Sequence, residues 1–96
     1  MNINFKELKN NNKQEIKYSN GKYIGQVING IREGKGIFYW NSGNRYEGEW
    51  KNDKMEGKGI YYYNNGNRRM GDYYNDKPIG IHARLTKNGD VKIENY

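Results

Sequence analysis

The sequence has no cysteine, and it has only one proline and one histidine among its 96 residues. Without cysteine there can be no disulfide framework, no thiolate nucleophile and no cysteine-ligated zinc site. A single histidine excludes metal sites that need two imidazoles. We therefore expect a protein of a reducing compartment, predict the cytoplasm, and expect neither a metal nor a cofactor.

Long apolar runs are absent as well. In the first 17 residues Ile3, Phe5 and Leu8 are separated by polar side chains. No window approaches the roughly 18 apolar residues of a membrane-spanning helix, and the N-terminus lacks the apolar region of a secretory signal. We expect neither export by that route nor a membrane span.

The composition points in two directions. A mean hydropathy of −1.29 and 16 asparagines are typical of a disordered chain, but 14 aromatic residues, ten of them tyrosine, predict a packed domain. Seventeen Lys and Arg residues against 11 Asp and Glu residues give a net charge of +6. This charge favours acidic partners such as nucleic acid, anionic lipid or an acidic protein surface.

The chain repeats with a period of 23 residues, as 23–45, 46–68 and 69–91, aligned without a gap. The first two copies share 13 of 23 residues, whereas the third shares 7 of 23 with the second. In the third copy Arg69 replaces a tyrosine, His82 a glycine and Arg84 an aromatic residue. Such decay is typical of a terminal repeat, and we interpret His82 as a substituted glycine in it.

Each copy has the pattern of one β-hairpin. Residues 46–50 alternate strictly between two faces, Asn52-Asp53 supplies residue types that tolerate the positive φ of tight turns, and residues 57–63 form a second strand. A loop containing Asn65-Gly66 then leads to the next copy. The sequence therefore predicts successive antiparallel strands.

Glycines alternate with aromatic residues along these strands. Glycine weakens a strand unless close approach of another group requires it. We therefore expect a ring, Trp50 or Tyr61, to lie over the bare backbone of Gly48, Gly57 or Gly59. We assign Phe38, Trp50 and Tyr61 to the core and expect Trp40 and Tyr63 to keep an exposed edge. Since a single-layer sheet cannot bury both of its faces, an aromatic-rich face should stay partly exposed or meet a partner.

Two segments carry a family resemblance. Tyr23, Gly25, Gly34, Gly36 and Phe38, and at the same spacing Tyr46 to Trp50 with Gly57, Gly59 and Tyr61, resemble the MORN (membrane occupation and recognition nexus) repeat. The resemblance extends from Tyr23 to about Gly89. It implies an all-β fold, an elongated, twisted, single-layer antiparallel sheet of consecutive hairpins. It also implies a non-enzymatic interaction module, in a family whose partners differ widely.

The domain organisation follows from these copies. Residues 1–22 are predicted to form an N-terminal arm or cap, and residues 23–96 the repeat domain, with a final strand at 92–96. Ile3, Phe5, Leu8 and Ile16 either fold over the open edge of the first hairpin or belong to a flexible partner-binding arm. Residues 15–18 could add a strand, and residues 84–86 and 91–93 should form a last hairpin over Asn88-Gly89.

No catalytic constellation stands out. Glu47 and Glu49 are close enough for paired-carboxylate chemistry, but the other copies do not repeat them. Cross-strand charge pairing with Lys58 explains them more simply. We therefore predict that the chain is not an enzyme.

We predict instead a protein-binding module, in which one sheet face combines aromatic anchors with basic residues and grips an acidic partner surface. The 23-residue spacing brings rings and cations into register as ladders. The aromatic candidates are Tyr23, Trp40, Tyr46, Trp50, Tyr61, Tyr63 and Tyr73, and the basic candidates are Lys35, Arg45, Lys58, Arg68 and Arg69.

Such a module could act as a small inhibitor, an immunity-type protein or an assembly protein. Peripheral binding of anionic phospholipid and single-stranded RNA or DNA binding are the alternatives. The sequence also leaves open whether the third hairpin pairs with a second copy to form a homodimer.

Overall fold

The computed structural model describes residues 13–96 and shows one open sheet of eight antiparallel strands, each hydrogen-bonded to its neighbours in sequence. The predicted all-β fold of consecutive hairpins is confirmed. The prediction that Ile3, Phe5 and Leu8 cover the edge of the first hairpin concerns residues outside the described range. The strands are β1 (Lys13–Tyr18), β2 (Gly21–Ile28), β3 (Ile31–Trp40), β4 (Arg45–Lys51), β5 (Lys54–Tyr62), β6 (Arg68–Tyr74), β7 (Lys77–Leu85) and β8 (Val91–Asn95).

The flanking strands agree with the sequence patterns. The strand predicted over residues 15–18 is present as the C-terminal part of β1, which pairs with β2. The predicted last hairpin is formed by β7 and β8. Across residues 13–96 we find no helix with the length and apolar character needed to cross a membrane.

Two-residue turns close the three repeat hairpins. Both turn residues have positive φ in Asn29-Gly30 (52° and 78°), Asn52-Asp53 (50° and 67°) and Asn75-Asp76 (53° and 68°). This is type I′ geometry, whose twist matches that of the strands it joins, and asparagine, aspartate and glycine tolerate it best. The predicted turn positions are therefore confirmed.

A β-bulge interrupts the strand pairing in every repeat hairpin. Between the paired residues Gly25–Gly36 and Val27–Arg32, the single residue Gln26 faces three residues of β3. The same count recurs between β4 and β5 and between β6 and β7. The longer side contains a glycine of positive φ in each hairpin: Gly34 (96°) and Gly57 (92°) are its central residues, and Gly80 (71°) is its first residue in the third hairpin. A side chain at that φ would be strained, which explains this glycine column.

The side chain opposite the bulge closes it. Gln26 Oε1 accepts a hydrogen bond from the Lys35 backbone N–H at 2.6 Å, and Glu49 Oε1 accepts one from the Lys58 backbone N–H at 2.6 Å. The expected charge pair of Glu49 with the Lys58 side chain is thus replaced by a bond to its backbone. Glu47 instead pairs with Arg45 on its own strand, at 3.0 Å between Nε and Oε1.

Aspartates in the turns connect successive hairpins. Asp53 Oδ1 accepts from the Arg32 backbone N–H at 2.8 Å, and Asp76 Oδ1 accepts from the Met55 backbone N–H at 2.8 Å. The corresponding residue of the third hairpin is Pro78, which has no N–H to satisfy. The third hairpin is therefore suited to the end of the repeat array.

Asparagines connect the loops at the opposite end of the strands. Asn41 Nδ2 donates to the Ser19 carbonyl at 2.9 Å, and Asn64 Nδ2 donates to the Ser42 carbonyl at 2.9 Å. The Lys87 backbone N–H donates to Asn67 Oδ1 at 3.2 Å. These side-chain bonds replace missing backbone partners in the loops, so the high asparagine content has a structural cause.

The Asp53 contact predicts an acid-dependent stability. The Arg32 backbone N–H and guanidinium hold the pKa of the Asp53 carboxyl below its ordinary value of 3.8. A lowered pKa stabilises the fold above the unfolded-state pKa, and this contribution is lost as pH falls through the folded-state pKa. We expect Asp53→Asn to be less stable than wild type at pH 7, with a difference that shrinks as pH falls through the lowered pKa of the Asp53 carboxyl.

Urea unfolding of both proteins at several pH values measures this difference. Glu94, whose pKa is also lowered, titrates in both proteins, so the comparison isolates Asp53. A difference that stays constant from neutral to acidic pH would contradict a role for the ionised carboxylate.

Candidate binding groove

The two faces of the sheet differ in chemistry. We call aromatic face the side on which Tyr23, Phe38, Tyr46, Tyr61 and Arg69 follow one another as cross-strand partners. We call the opposite side the reverse face. All seven aromatic candidates of the sequence lie on the aromatic face, which is therefore the first place to look for a site.

The basic candidates are not gathered there. Arg69 lies on the aromatic face, where it is the cross-strand partner of Tyr61. The other four are paired with residues of the reverse face, since neighbouring residues in a strand point to opposite sides. They are Lys35, Arg45, Lys58 and Arg68. The structure thus separates the rings and cations that the sequence analysis placed on one combined face.

Rings do lie over glycine, but the predicted rings are wrong. A side-chain carbon added to Gly59 would overlap the ring of Tyr46, and one added to Gly36 would overlap the ring of Tyr23. Gly57 faces the Glu49 side chain instead. The tyrosine that opens each of the first two repeats, rather than Trp50 or Tyr61, covers the paired glycines.

The tyrosine hydroxyls fix these rings. Tyr23 donates to the Gln26 carbonyl at 2.7 Å, and Tyr46 donates to the Glu49 carbonyl at 3.1 Å. Both side chains are completely buried. Burial raises the pKa of both hydroxyls well above the ordinary tyrosine value, so they remain protonated donors at neutral pH.

Edge-to-face contacts join the covered rings across the sheet. The ring centroids of Tyr23 and Trp50, Trp50 and Tyr46, and Tyr46 and Tyr73 are 5.4, 5.3 and 5.1 Å apart. The Trp50 indole N–H donates to the Gly36 carbonyl at 3.2 Å. We call these four residues the buried ring row. Four of the seven predicted partner-binding aromatics are therefore core, and they form a floor that a partner cannot reach.

The third repeat builds the same floor from the other strand. His82 is completely buried, and its ring occupies the space over Gly71 that a side chain there would need. Its Nε2 lies 2.8 Å from the Asp72 carbonyl, in the place of the tyrosine hydroxyl of the earlier repeats, and so donates. Interpreting His82 only as a lost glycine missed this role. The available signal was that Arg69 replaces the tyrosine in the same repeat.

A second set of rings lies beside the floor. Tyr18, Phe38, Trp40, Tyr61 and Tyr63, the outer ring row, follow one another at centroid distances of 4.8 to 5.6 Å. Phe38 is buried, as predicted. Trp40 and Tyr63 are half-buried, as predicted for them. Tyr61, which was predicted to be core, is also only half-buried and packs against the core. These three rings are the aromatic candidates that a partner can reach.

Two cavities adjoin on this face. The first, of about 330 Å³, surrounds Arg32, and the second, of about 190 Å³, surrounds Arg69. Met55 and Asp76 line both, so the cavities are neighbours, and we call the two together the groove. The outer ring row contributes Tyr18, Phe38 and Trp40 to the first cavity and Tyr61 and Tyr63 to the second.

Each cavity holds an arginine packed on rings. The Arg32 guanidinium lies 4.8 Å from the Trp50 ring and 4.9 Å from the Tyr18 ring, and its Nε is 3.1 Å from Asp53 Oδ1. Arg69 donates to the Tyr63 hydroxyl and lies 5.5 Å from the Tyr63 ring. Such stacking holds the cations in place beside apolar surface. The sequence analysis did not identify Arg32 as a site residue.

Polar atoms without partners mark the second cavity. Among residues 13–96, Arg69 Nε, the Tyr73 hydroxyl and His82 Nδ1 are buried and have no hydrogen-bond partner. Arg69 and Tyr73 both line the cavity. Burial raises the pKa of Tyr73 to about 12, so its hydroxyl is a donor at neutral pH.

One known protein family resembles part of the chain. The family model of the MORN repeat matches residues 23–45 and 46–68, which are the boundaries of the first two 23-residue copies. The predicted family is thereby confirmed for these residues. No curated protein matches the sequence.

Proposed function

Because residues 23–45 and 46–68 are MORN repeats, we propose that the chain is a non-enzymatic protein-binding module whose groove holds a segment of one partner protein. The observation that carries this proposal is the position of Trp40, Tyr61 and Tyr63, which stay half-buried at the groove. Tyrosine and tryptophan at a rigid groove are typical anchors of protein interfaces. The lack of cysteine supports action in the cytoplasm.

The groove favours a partner segment with apolar and acidic side chains. Apolar groups fit the cavity walls made by the outer ring row, and a carboxylate fits the second cavity because the cationic Arg69 lines it. The net charge of +6 supports an acidic partner surface, because it speeds encounter with such a surface. By occupying such a segment the chain would act as an inhibitor, an immunity-type protein or an assembly protein.

The reverse face supports anionic phospholipid as a second candidate partner. Lys17, Lys22, Tyr39, Arg45, Tyr62 and Arg68 follow one another across the sheet as one straight row of cross-strand partners. A basic row on one side could lie flat on a negatively charged surface. Single-stranded nucleic acid has less support, because base stacking and phosphate contact would have to use opposite faces.

Two double variants separate the two candidates. Trp40→Ala/Tyr63→Ala removes rings from the groove, and Lys22→Glu/Arg68→Glu reverses two exposed charges of the basic row. We expect the ring variant to lose roughly a hundredfold in affinity for a captured partner protein and the charge variant to change it only a few-fold, as for peripheral charges.

The measurement is affinity capture after nuclease treatment, followed by titration of the captured protein against all three forms of the chain. Vesicles containing phosphoinositides provide the parallel test for lipid. If charge reversal abolished binding, the ring variant bound normally and only vesicles were bound, the groove would be the wrong site and the basic row the right one.

A further inference from the structure

The last strand of the sheet has an unpaired edge. Within residues 13–96, β8 (Val91–Asn95) is hydrogen-bonded to β7 alone. Val91 and Ile93 on this strand are 61% and 69% exposed. An open edge strand with exposed apolar side chains is a template for another strand.

The hydrogen bonds to β7 fix which backbone groups are available. Gly80 and Tyr96 exchange both of their bonds, at 3.1 and 2.8 Å. Inward and outward residues alternate along an antiparallel strand, and the pairing of β7 with β8 is regular. Therefore Glu94 and Lys92 also point their backbone groups to β7, whereas Val91, Ile93 and Asn95 point theirs to the open edge.

The sequence of β8 is complementary to itself. If two copies of β8 pair antiparallel about a two-fold axis at Ile93, Ile93 faces Ile93 and exchanges both backbone bonds with it. Lys92 of each copy then faces Glu94 of the other, and Val91 faces Asn95. The charged pair falls at the non-hydrogen-bonded position, where opposed side chains are closest.

Lys92 lies beside a cation within the chain, and that cation, Arg84, also pairs with Glu94, at 3.3 Å between Nη1 and Oε2. Within one chain Lys92 is the direct cross-strand partner of Arg84, and like charges at such a position are destabilising. Glu94 of a second copy would lie on the other side of Lys92. Lys92 would then have an acidic cross-strand neighbour on the side of the junction.

From this register we propose that two copies of the chain pair through β8 and form one continuous sheet. The two-fold axis is perpendicular to the sheet, so both aromatic faces lie on the same side. The two grooves would then face one surface, and a partner with two segments could occupy both. The dimer does not depend on the proposed function of the groove.

Charge exchange at the junction tests the dimer. Lys92→Glu places Glu opposite Glu94, and Glu94→Lys places Lys opposite Lys92, so each variant alone should dissociate, with a dissociation constant raised roughly tenfold or more. Mixing the two variants restores opposite charges at both pairs. We therefore expect an equimolar mixture to form a heterodimer.

Sedimentation equilibrium over a range of protein concentrations measures each species, and thermal unfolding checks that each variant is folded. Ile93→Pro is a second probe, because it removes a backbone N–H from the open edge and leaves the bonds to β7 in place. Ile28→Ser, an exposed residue on β2, is the control and should dimerise like wild type. A wild-type monomer at every concentration, dimers unaffected by Ile93→Pro, or a mixture that stays monomeric would overturn the proposal.

Discussion

Replacing Gly59 by valine is expected to lower the free energy of unfolding by about 3 kcal/mol or more. A side chain at Gly59 would overlap the Tyr46 ring, which is completely buried and bonded through its hydroxyl to the Glu49 carbonyl. The ring cannot move aside without breaking that bond and its edge-to-face contacts with Trp50 and Tyr73. The loss should therefore extend over two repeats.

Gly89→Asn is the matched control. Gly89 has a φ of 91°, and a side chain there would meet no atom within 4 Å. Asparagine tolerates left-handed backbone better than other non-glycine residues, so we expect a cost below about 1 kcal/mol. Gly66 is less suitable, because an added Cβ would lie 2.9 Å from the Lys87 Cβ. Urea unfolding followed by circular dichroism gives both values, and equal midpoints for Gly59→Val and Gly89→Asn would refute the role of the bare backbone.

Replacing His82 by glycine is expected to cost about 3 kcal/mol, because it removes a fully buried ring and leaves Gly71 uncovered. It also removes the donor to the Asp72 carbonyl. The first two repeats have glycine at the position of His82, and a tyrosine from the neighbouring strand covers that glycine. In the third repeat the position of that tyrosine holds Arg69, so nothing fills the space.

Adding Arg69→Tyr to His82→Gly should restore the arrangement of the first two repeats. The new tyrosine would lie over the two glycines and donate to the Asp72 carbonyl, as Tyr46 does to that of Glu49. Arg69→Tyr alone should destabilise, because its ring competes with His82 for one space. We expect the double variant to be more stable than His82→Gly, with a coupling energy of about 2 kcal/mol. If the two changes were additive within about 0.5 kcal/mol, the exchange of rings between strands would be wrong.

The hairpin array could be predicted from the sequence because its signals are local. A fixed period, alternating side chains and turn residues that accept positive φ are properties of neighbouring residues. The same patterns indicated that a ring covers Gly59. They could not identify the ring, because alternation gives only the face on which Tyr46, Trp50 and Tyr61 all lie. The choice depends on side-chain direction and on the carbonyl that the hydroxyl reaches.

The separation of rings from cations was available in the sequence. Arg45 directly precedes Tyr46, and Arg68 directly precedes Arg69, so within a strand they must point to opposite sides. Equal 23-residue spacing shows that residues recur in register, but not that two such ladders share a face. The groove itself was harder to predict from the sequence. Its first cavity contains Arg32 packed over Trp50, two residues that are far apart in the chain.

The two tryptophans provide the most direct test of the binding groove. Trp50 is buried in the floor, with its indole N–H bonded to the Gly36 carbonyl, whereas Trp40 is half-buried in the outer ring row. We would titrate ¹⁵N-labelled chain with the captured partner and follow the two indole resonances and the backbone amides. The proposed function predicts a large shift of the Trp40 indole, little change at Trp50, and shifts at Tyr61 and Tyr63. Shifts confined to Lys22, Arg45 and Arg68, with Trp40 unchanged, would contradict it.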